Sequence, residues 1–155
     1  TGGTFDKEYN YITGELFFKD THLQDMLERG RCTLDVDIKT LMMVDSLEMT
    51  DVDRGNIIYN CKRCKHENIL ITHGTDTMTA TAALLTGLTD KVIVFTGSMQ
   101  PARFRHSDAV FNLGCAIGAL EVLPPGVYIA MNGRIFDPDK TRKNVEQNRF
   151  EQIKD

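Results

Sequence analysis

Apolar residues fall along this chain in short runs whose spacing shifts between two and about 3.6. Leu34, Val36 and Ile38 alternate with polar residues and lead into Leu41-Met42-Met43-Val44, which reads as extended structure ending at Asp45-Ser46. Thr50 then precedes Asp51-Val52-Asp53, an N-cap followed by first-turn acids, and helical spacing continues through Ile57, Ile58, Cys61 and Cys64. Residues 68–72 read as a strand, about 77–85 as a helix, and 91–95 as another strand. From 107 to 121, Val110, Phe111, Leu113, Ile117 and Leu120 keep helical period until Pro124-Pro125-Gly126 stops them. Residues 127–131 follow as a strand, and a short helix fits 23–29. Asn132-Gly133, set between that last strand and Arg134-Ile135-Phe136, is a strong hairpin signal.

Strand alternating with helix predicts an α/β fold with a mainly parallel, doubly wound sheet and an antiparallel hairpin near the C-terminus, residues 1–155 forming a single domain. Thr1-Gly2-Gly3-Thr4 has the composition of a loop that leaves a strand, so a strand upstream of residue 1 is expected. The strand exits would then carry TGGT, DS, THGTDT and TGSMQP. Ligands of open α/β sheets bind in the crevice beyond the carboxyl ends of the strands, so polar residues left at successive exits converge on one pocket.

Charge and composition narrow the partners. Lys and Arg total 18 against 22 Asp and Glu, a formal net charge of −4, which gives no long-range attraction for phosphate backbones or anionic lipid. Neither nucleic acid nor membrane is expected as a partner. Apolar runs such as Val92-Ile93-Val94-Phe95 are far too short to span a bilayer, no signal-peptide pattern opens the chain, and a cytoplasmic location is expected. Cys61 and Cys64 make a C-x-x-C pair near His66, but no second pair supplies further ligands. They fit the inner face of a helix better, and neither metal nor cofactor is expected.

The candidate site is rich in hydroxyls (Thr4, Ser46, Thr75, Thr77, Ser98), with His73 the only histidine at a strand exit. The G-x-S-x-G elbow, the G-x-G-x-x-G dinucleotide pattern and the P-loop are all absent. A threonine hydroxyl remains as nucleophile, and it is inert until a neighbouring base takes its proton. Asp76, beside Thr75, suits either the orientation of a lysine or the binding of a cationic substrate group. Lys143 is a partner if the chain returns over the same sheet edge, and otherwise belongs to a solvated basic turn. His73 reads more simply as a loop anchor than as a catalyst.

TGGT at 1–4, HGTDTM at 73–78, GSMQP at 97–101, SDA with FN at 107–112 and MNGRIF at 131–136 resemble, in this order and spacing, the amino-terminal domain of the bacterial-type L-asparaginases. DSLEMT at 45–50 is similar to the form found in cytoplasmic, type I members. The resemblance implies an amidohydrolase that cleaves the side-chain amide of L-asparagine to aspartate and ammonia through a threonine nucleophile. It assigns Thr4 as that nucleophile and Tyr11 as its partner on a flap, with Thr75, Asp76 and Lys143 as a second triad. It also places Ser46 and Asp76 around the α-carboxylate and α-amino groups, Ser98 near the side-chain amide, and Gly74 in the substrate pocket.

Two departures qualify it. Leu47 stands where secreted members carry a substrate-binding glutamine, and the family's smaller carboxy-terminal domain is not expected in this sequence. In the family a neighbouring subunit's copy of that domain supplies an acidic residue near the first threonine. Asp6, Glu8 or Glu15 would have to substitute, or another chain provide one, so a homodimer or higher homo-oligomer is expected. The alternative is a catalytically inactive single-domain module that binds asparagine, aspartate or a related amide.

Overall fold

In the computed structural model, which describes residues 1–153, a four-stranded sheet forms the centre of the fold. Its strands β3 (Asn68–Thr72), β4 (Val92–Thr96) and β5 (Gly126–Met131) are parallel, and β6 (Arg134–Phe136) returns antiparallel to β5. The return is made at Asn132-Gly133, both at positive φ (54° and 75°), the backbone that a tight hairpin of this type requires. Sheet class and hairpin are as the sequence predicts.

The period of two along β4 sets the layers. Ile93 and Phe95 join Ile57, Met78 and Leu85 in one buried cluster, whereas Val92 and Val94 join Ala116 and Ala119 in another. Helices α2 (Asp51–Arg63) and α3 (Met78–Ala83) contribute to the first cluster and α4 (Ala109–Val122) to the second, so the sheet is covered on both faces. The start of α2 is a capping box: the Thr50 hydroxyl accepts the Asp53 N–H while the Asp53 carboxylate accepts the Thr50 N–H. Cys61 lies buried on the inner face of this helix, and Lys91 closes its far end by donating to Cys64 O (2.8 Å) and His66 O (3.1 Å).

The expected strand over 34–44 does not form. Only Val44 is bridged, in parallel, to Gly2, and among the described residues the rest of the stretch has no ladder partner. Alternation supplies a face, but a strand exists only where a neighbour takes its hydrogen bonds. Among the described residues β3 likewise pairs only with β4, and a groove of about 970 Å³ runs along its other edge, lined by Leu34, Val36, Ile38, Ile69 and Ile117.

Two further hairpins lie outside the central sheet. β1 (Lys7–Tyr9) and β2 (Leu16–Phe18) form a flap after a 3-10 turn at Thr4–Asp6, followed by α1 (Leu23–Arg29). β7 (Thr141–Asn144) and β8 (Arg149–Gln152) pair near the C-terminal end, with Lys143 opposite Phe150. The segment holding Lys143 is therefore a strand, not a solvated turn.

Candidate active site

The strand exits interlock at glycines, whose neighbours are backbone or, for Gly74, the Ser46 side chain. A Cβ on Gly3 would lie 2.5 Å from both Cα and N of Gly74, one on Gly74 would lie 2.5 Å from Ser46 Oγ, and one on Gly97 would lie 2.4 Å from His73 O. Each distance is too short for any side chain, so the loops at 1–4, 45–49, 73–77 and 97–101 meet only because these positions are glycine. Thr4 and Thr75 each follow directly on the touching pair Gly3 and Gly74.

Lys143 reaches the same place from the C-terminal hairpin. Its Nζ donates to Thr75 Oγ1 at 2.8 Å and to Asp76 Oδ1 at 2.7 Å, with the lysine side chain 16% exposed. Thr75 is itself buried. A lysine that touches a hydroxyl and a carboxylate together is oriented by the carboxylate and shares a proton path with the hydroxyl, the arrangement that nucleophile activation requires.

A chain of buried amides fixes that hairpin. Asn112, fully buried in α4, donates from Nδ2 to Gly97 O (3.0 Å) and accepts the Asn132 N–H at Oδ1 (3.1 Å). Asn132 Oδ1 in turn accepts the N–H of Phe150 at 2.8 Å, on the strand paired with Lys143. Asp108 completes the frame by accepting the N–H groups of Met99 and Gln100 and the Asn112 amide. Sequence reading placed Asn132 in the hairpin turn and gave Asp108 and Asn112 no role beyond their matching motif, although an asparagine inside an otherwise apolar helix face is a signal of a buried partner.

Ser46 is buried, and its Oγ accepts the N–H of Thr77 at 3.4 Å, which leaves its own hydrogen to give. Ser98 is buried at the end of β4 with its hydroxyl donating to Gln100 O at 2.5 Å, so its hydrogen is engaged within its own loop. Tyr11 stands apart at the flap tip, 91% exposed, its ring edge-on to Tyr9 at 5.2 Å between centroids. The base of the flap is held by Lys7 Nζ, 2.6 Å from Asp45 Oδ2, a bond that keeps the Asp45 carboxyl below its ordinary range. On the opposite face of β1, Glu8 lies 3.5 Å from Arg103 Nε.

None of the three candidate carboxylates bonds to Thr4 or Tyr11. Asp6 is buried, with Oδ1 accepting the His22 N–H at 3.1 Å, and burial raises its pKa. Glu8 is turned to Arg103 and His22, and Glu15 is exposed. His73 is fully buried, and its Nδ1 donates to Gly74 O at 2.8 Å. Burial pulls its pKa down to about 4, so the ring is neutral and holds the loop that carries Thr75.

Comparison with known proteins adds an independent line. A family model described as "Asparaginase, N-terminal" matches residues 1–154. The thermostable L-asparaginase from Thermococcus kodakarensis superposes with a TM-score of 0.84 at 26% identity, over 99% of this chain and 49% of that one. A glutamyl-tRNA(Gln) amidotransferase component of Archaeoglobus fulgidus is 29% identical over 144 residues, 88% of this chain and 34% of that protein. L-asparaginase 2 of Bacillus subtilis is 35% identical over 98 residues, 56% of this chain and 26% of its own length. The chain thus spans about a third or less of these curated relatives and about half of the solved structure.

Proposed function

This chain belongs to the asparaginase amino-terminal family, and from that premise we propose that it is an amidohydrolase cleaving the side-chain amide of L-asparagine to aspartate and ammonia. Thr4 Oγ1 attacks the carboxamide carbon, ammonia leaves, and water hydrolyses the resulting acyl-enzyme ester. Tyr11, carried down by the flap, partners Thr4. Thr75, Asp76 and Lys143 form the proton-handling group on the opposite wall, and backbone amides near Thr75 receive the developing oxyanion. Ser46 donates to the substrate α-carboxylate, Asp76 accepts from its α-ammonium, Gly74 leaves room for the substrate, and Ser98 lines the amide end. The reading needs no cofactor and no metal.

The observation that carries this reading is Lys143 Nζ within 2.8 Å of Thr75 Oγ1 and 2.7 Å of Asp76 Oδ1. A lysine arriving from a distant hairpin onto one threonine and its adjacent aspartate has no evident role in packing. Asp6, Glu8 and Glu15 are otherwise engaged or turned away, which supports a homo-oligomer whose partner chain completes the Thr4 site. We place the protein in the cytoplasm; among the described residues no helix is long and apolar enough to cross a membrane.

Ammonia release from a panel of L-asparagine, L-glutamine and their peptides tests the reading. Glutamine belongs in the panel because relatives are named as a glutaminase-asparaginase and as part of a glutamyl-tRNA(Gln) amidotransferase. Turnover lost in Thr4→Ala and Thr75→Ala supports it. Binding of L-aspartate with no ammonia from any amide would favour the inactive binding module, a reading for which the exposure of Tyr11 speaks.

A further inference from the structure

Arg54 is out of place as a helix residue. It sits at the fourth position of α2, in the end of the helix that carries positive partial charge and where Asp51 and Asp53 are the favourable neighbours. Its side chain is nevertheless only 13% exposed, and the nearest carboxylate, Asp51 at 3.9 Å, is fully exposed. Burying a guanidinium without a close counter-ion is costly, so its hydrogen bonds must fix its place.

Those bonds run to two elements of the site. Nη1 donates to Met49 O at 2.8 Å, Nη2 to Thr77 Oγ1 at 3.2 Å, and Nε to Thr81 Oγ1 at 3.2 Å. Thr77 precedes α3 but does not cap it with its side chain; its hydroxyl takes the Arg54 hydrogen and gives its own to Ser46 O at 2.9 Å. Arg54 therefore grips both ends of the 46–49 turn, Met49 directly and Ser46 through Thr77. The backbone N–H of Thr77 closes the other side by donating to Ser46 Oγ. The result is a Ser46 hydroxyl with one lone pair occupied and its hydrogen free, its residue held by a fork that never loses its charge.

We propose that Arg54 is a positioning residue that, through Thr77, presents Ser46 as a hydrogen-bond donor to a carboxylate on the substrate. The inference rests on the hydrolase reading above and extends it to which part of the substrate this wall selects. Arg54 touches neither Thr75, Asp76 nor Lys143, so its loss weakens substrate binding and leaves the chemical step in place.

Steady-state kinetics on L-asparagine test this with four substitutions and one control. Arg54→Met and Thr77→Val each raise KM about ten-fold or more with kcat within about three-fold, the size expected for losing a charge-assisted bond. Arg54→Lys, whose single ammonium cannot span three acceptors, falls between wild type and Arg54→Met, and Thr77→Ser matches wild type. The Arg54→Met, Thr77→Val double variant is no worse than the poorer single one, because both act through one linkage. Ile57→Val, in the core of the same helix, lowers thermal stability and leaves KM unchanged. A wild-type KM in Arg54→Met, or a change in KM that merely follows melting temperature across all variants, overturns the proposal. If Arg54→Met does not fold, Arg54→Lys and Thr77→Val decide it by the same criteria. If the wild type releases no ammonia from any amide, the hydrolase reading falls, and calorimetric affinity for L-aspartate becomes the measure. Affinity about ten-fold weaker in Arg54→Met, or in Thr77→Val should Arg54→Met not fold, then supports the proposal, and equal affinity, or no binding by wild type, overturns it.

Discussion

Gly3 and Gly74 are in backbone contact, with no room between them for a single carbon: a Cβ on Gly3 would sit 2.5 Å from Gly74 Cα. The contact joins the loop of the proposed nucleophile to the loop of the proposed second triad.

Gly74→Ala should therefore damage both fold and activity. Its Cβ would meet Ser46 Oγ at 2.5 Å and Ser46 Cβ at 2.6 Å, and overpacking of this kind costs about 1–3 kcal/mol. Gly3→Ala should cost more, because φ is +75° there and the obstacle is backbone. Urea unfolding gives the stability change, and ammonia release should fall in both variants; Gly74→Ala with wild-type values in both measurements would remove the interlock from the account.

Lys143→Met should separate chemistry from stability. We expect turnover to drop by about 10²–10⁴, while stability falls by only about 1–3 kcal/mol, because Asp76, 38% exposed, regains water and only the buried Thr75 hydroxyl loses its partner. Ammonia release and thermal unfolding on one preparation read both quantities. A large loss of stability with proportionate loss of rate would make Lys143 a structural residue.

Acid should unfold the protein partly through His73. Its ordinary value of 6.5 applies to the unfolded chain, and burial lowers it to about 4 in the fold. The folded state thus refuses a proton that the unfolded state binds, so this contribution is complete above pH 6.5 and is lost as pH falls toward 4. At about 1.4 kcal/mol per unit it amounts to roughly 3 kcal/mol. His73→Asn keeps a donor for Gly74 O and cannot titrate, so its stability relative to wild type should improve steadily between pH 6.5 and 4. Parallel pH dependences for the two proteins in urea titrations would refute the assignment.

Asn112→Leu should act at a distance. It keeps the volume but leaves Gly97 O and the Asn132 N–H without their partner, a cost of about 1–3 kcal/mol for each buried group. Because Asn132 also holds Phe150, opposite Lys143, rate should fall as well, although Asn112 touches neither Thr75 nor Lys143. Full activity in a folded but destabilised Asn112→Leu would show that the hairpin keeps Lys143 in place by other means.

The central sheet was legible in the sequence because β4 is buried on both faces and reads as the unbroken apolar run Val92-Ile93-Val94-Phe95, and because Asn132-Gly133 marks the return into β6. The flap and the β7–β8 hairpin were not. Lys7-Glu8-Tyr9 and Thr141-Arg142-Lys143-Asn144 are polar, and their pairing is fixed by partners distant in sequence, such as Asp45 and Asn132. Residues 34–44 erred in the opposite direction, since alternation suggested a ladder for which no neighbour exists among the described residues. In the candidate site, Thr75, Asp76 and Lys143 were raised as partners from the residues and joined into a triad by a resemblance, and the fold brings them together. Arg54 gave no signal, because a cation on the first turn of an amphipathic helix reads as a solvated face.

The glycine contacts also divide labour between scaffold and reagent. Where the loops at 1–4, 73–77 and 97–101 meet, backbone lies against backbone at glycine, so exposed side chains at the rim are free to vary without moving those walls. Leu47 is such a position, next to Ser46 and 72% exposed. Substrate preference is open to drift, or to deliberate redesign, at that one side chain while the frame that aligns Thr4 with Thr75 stays as it is.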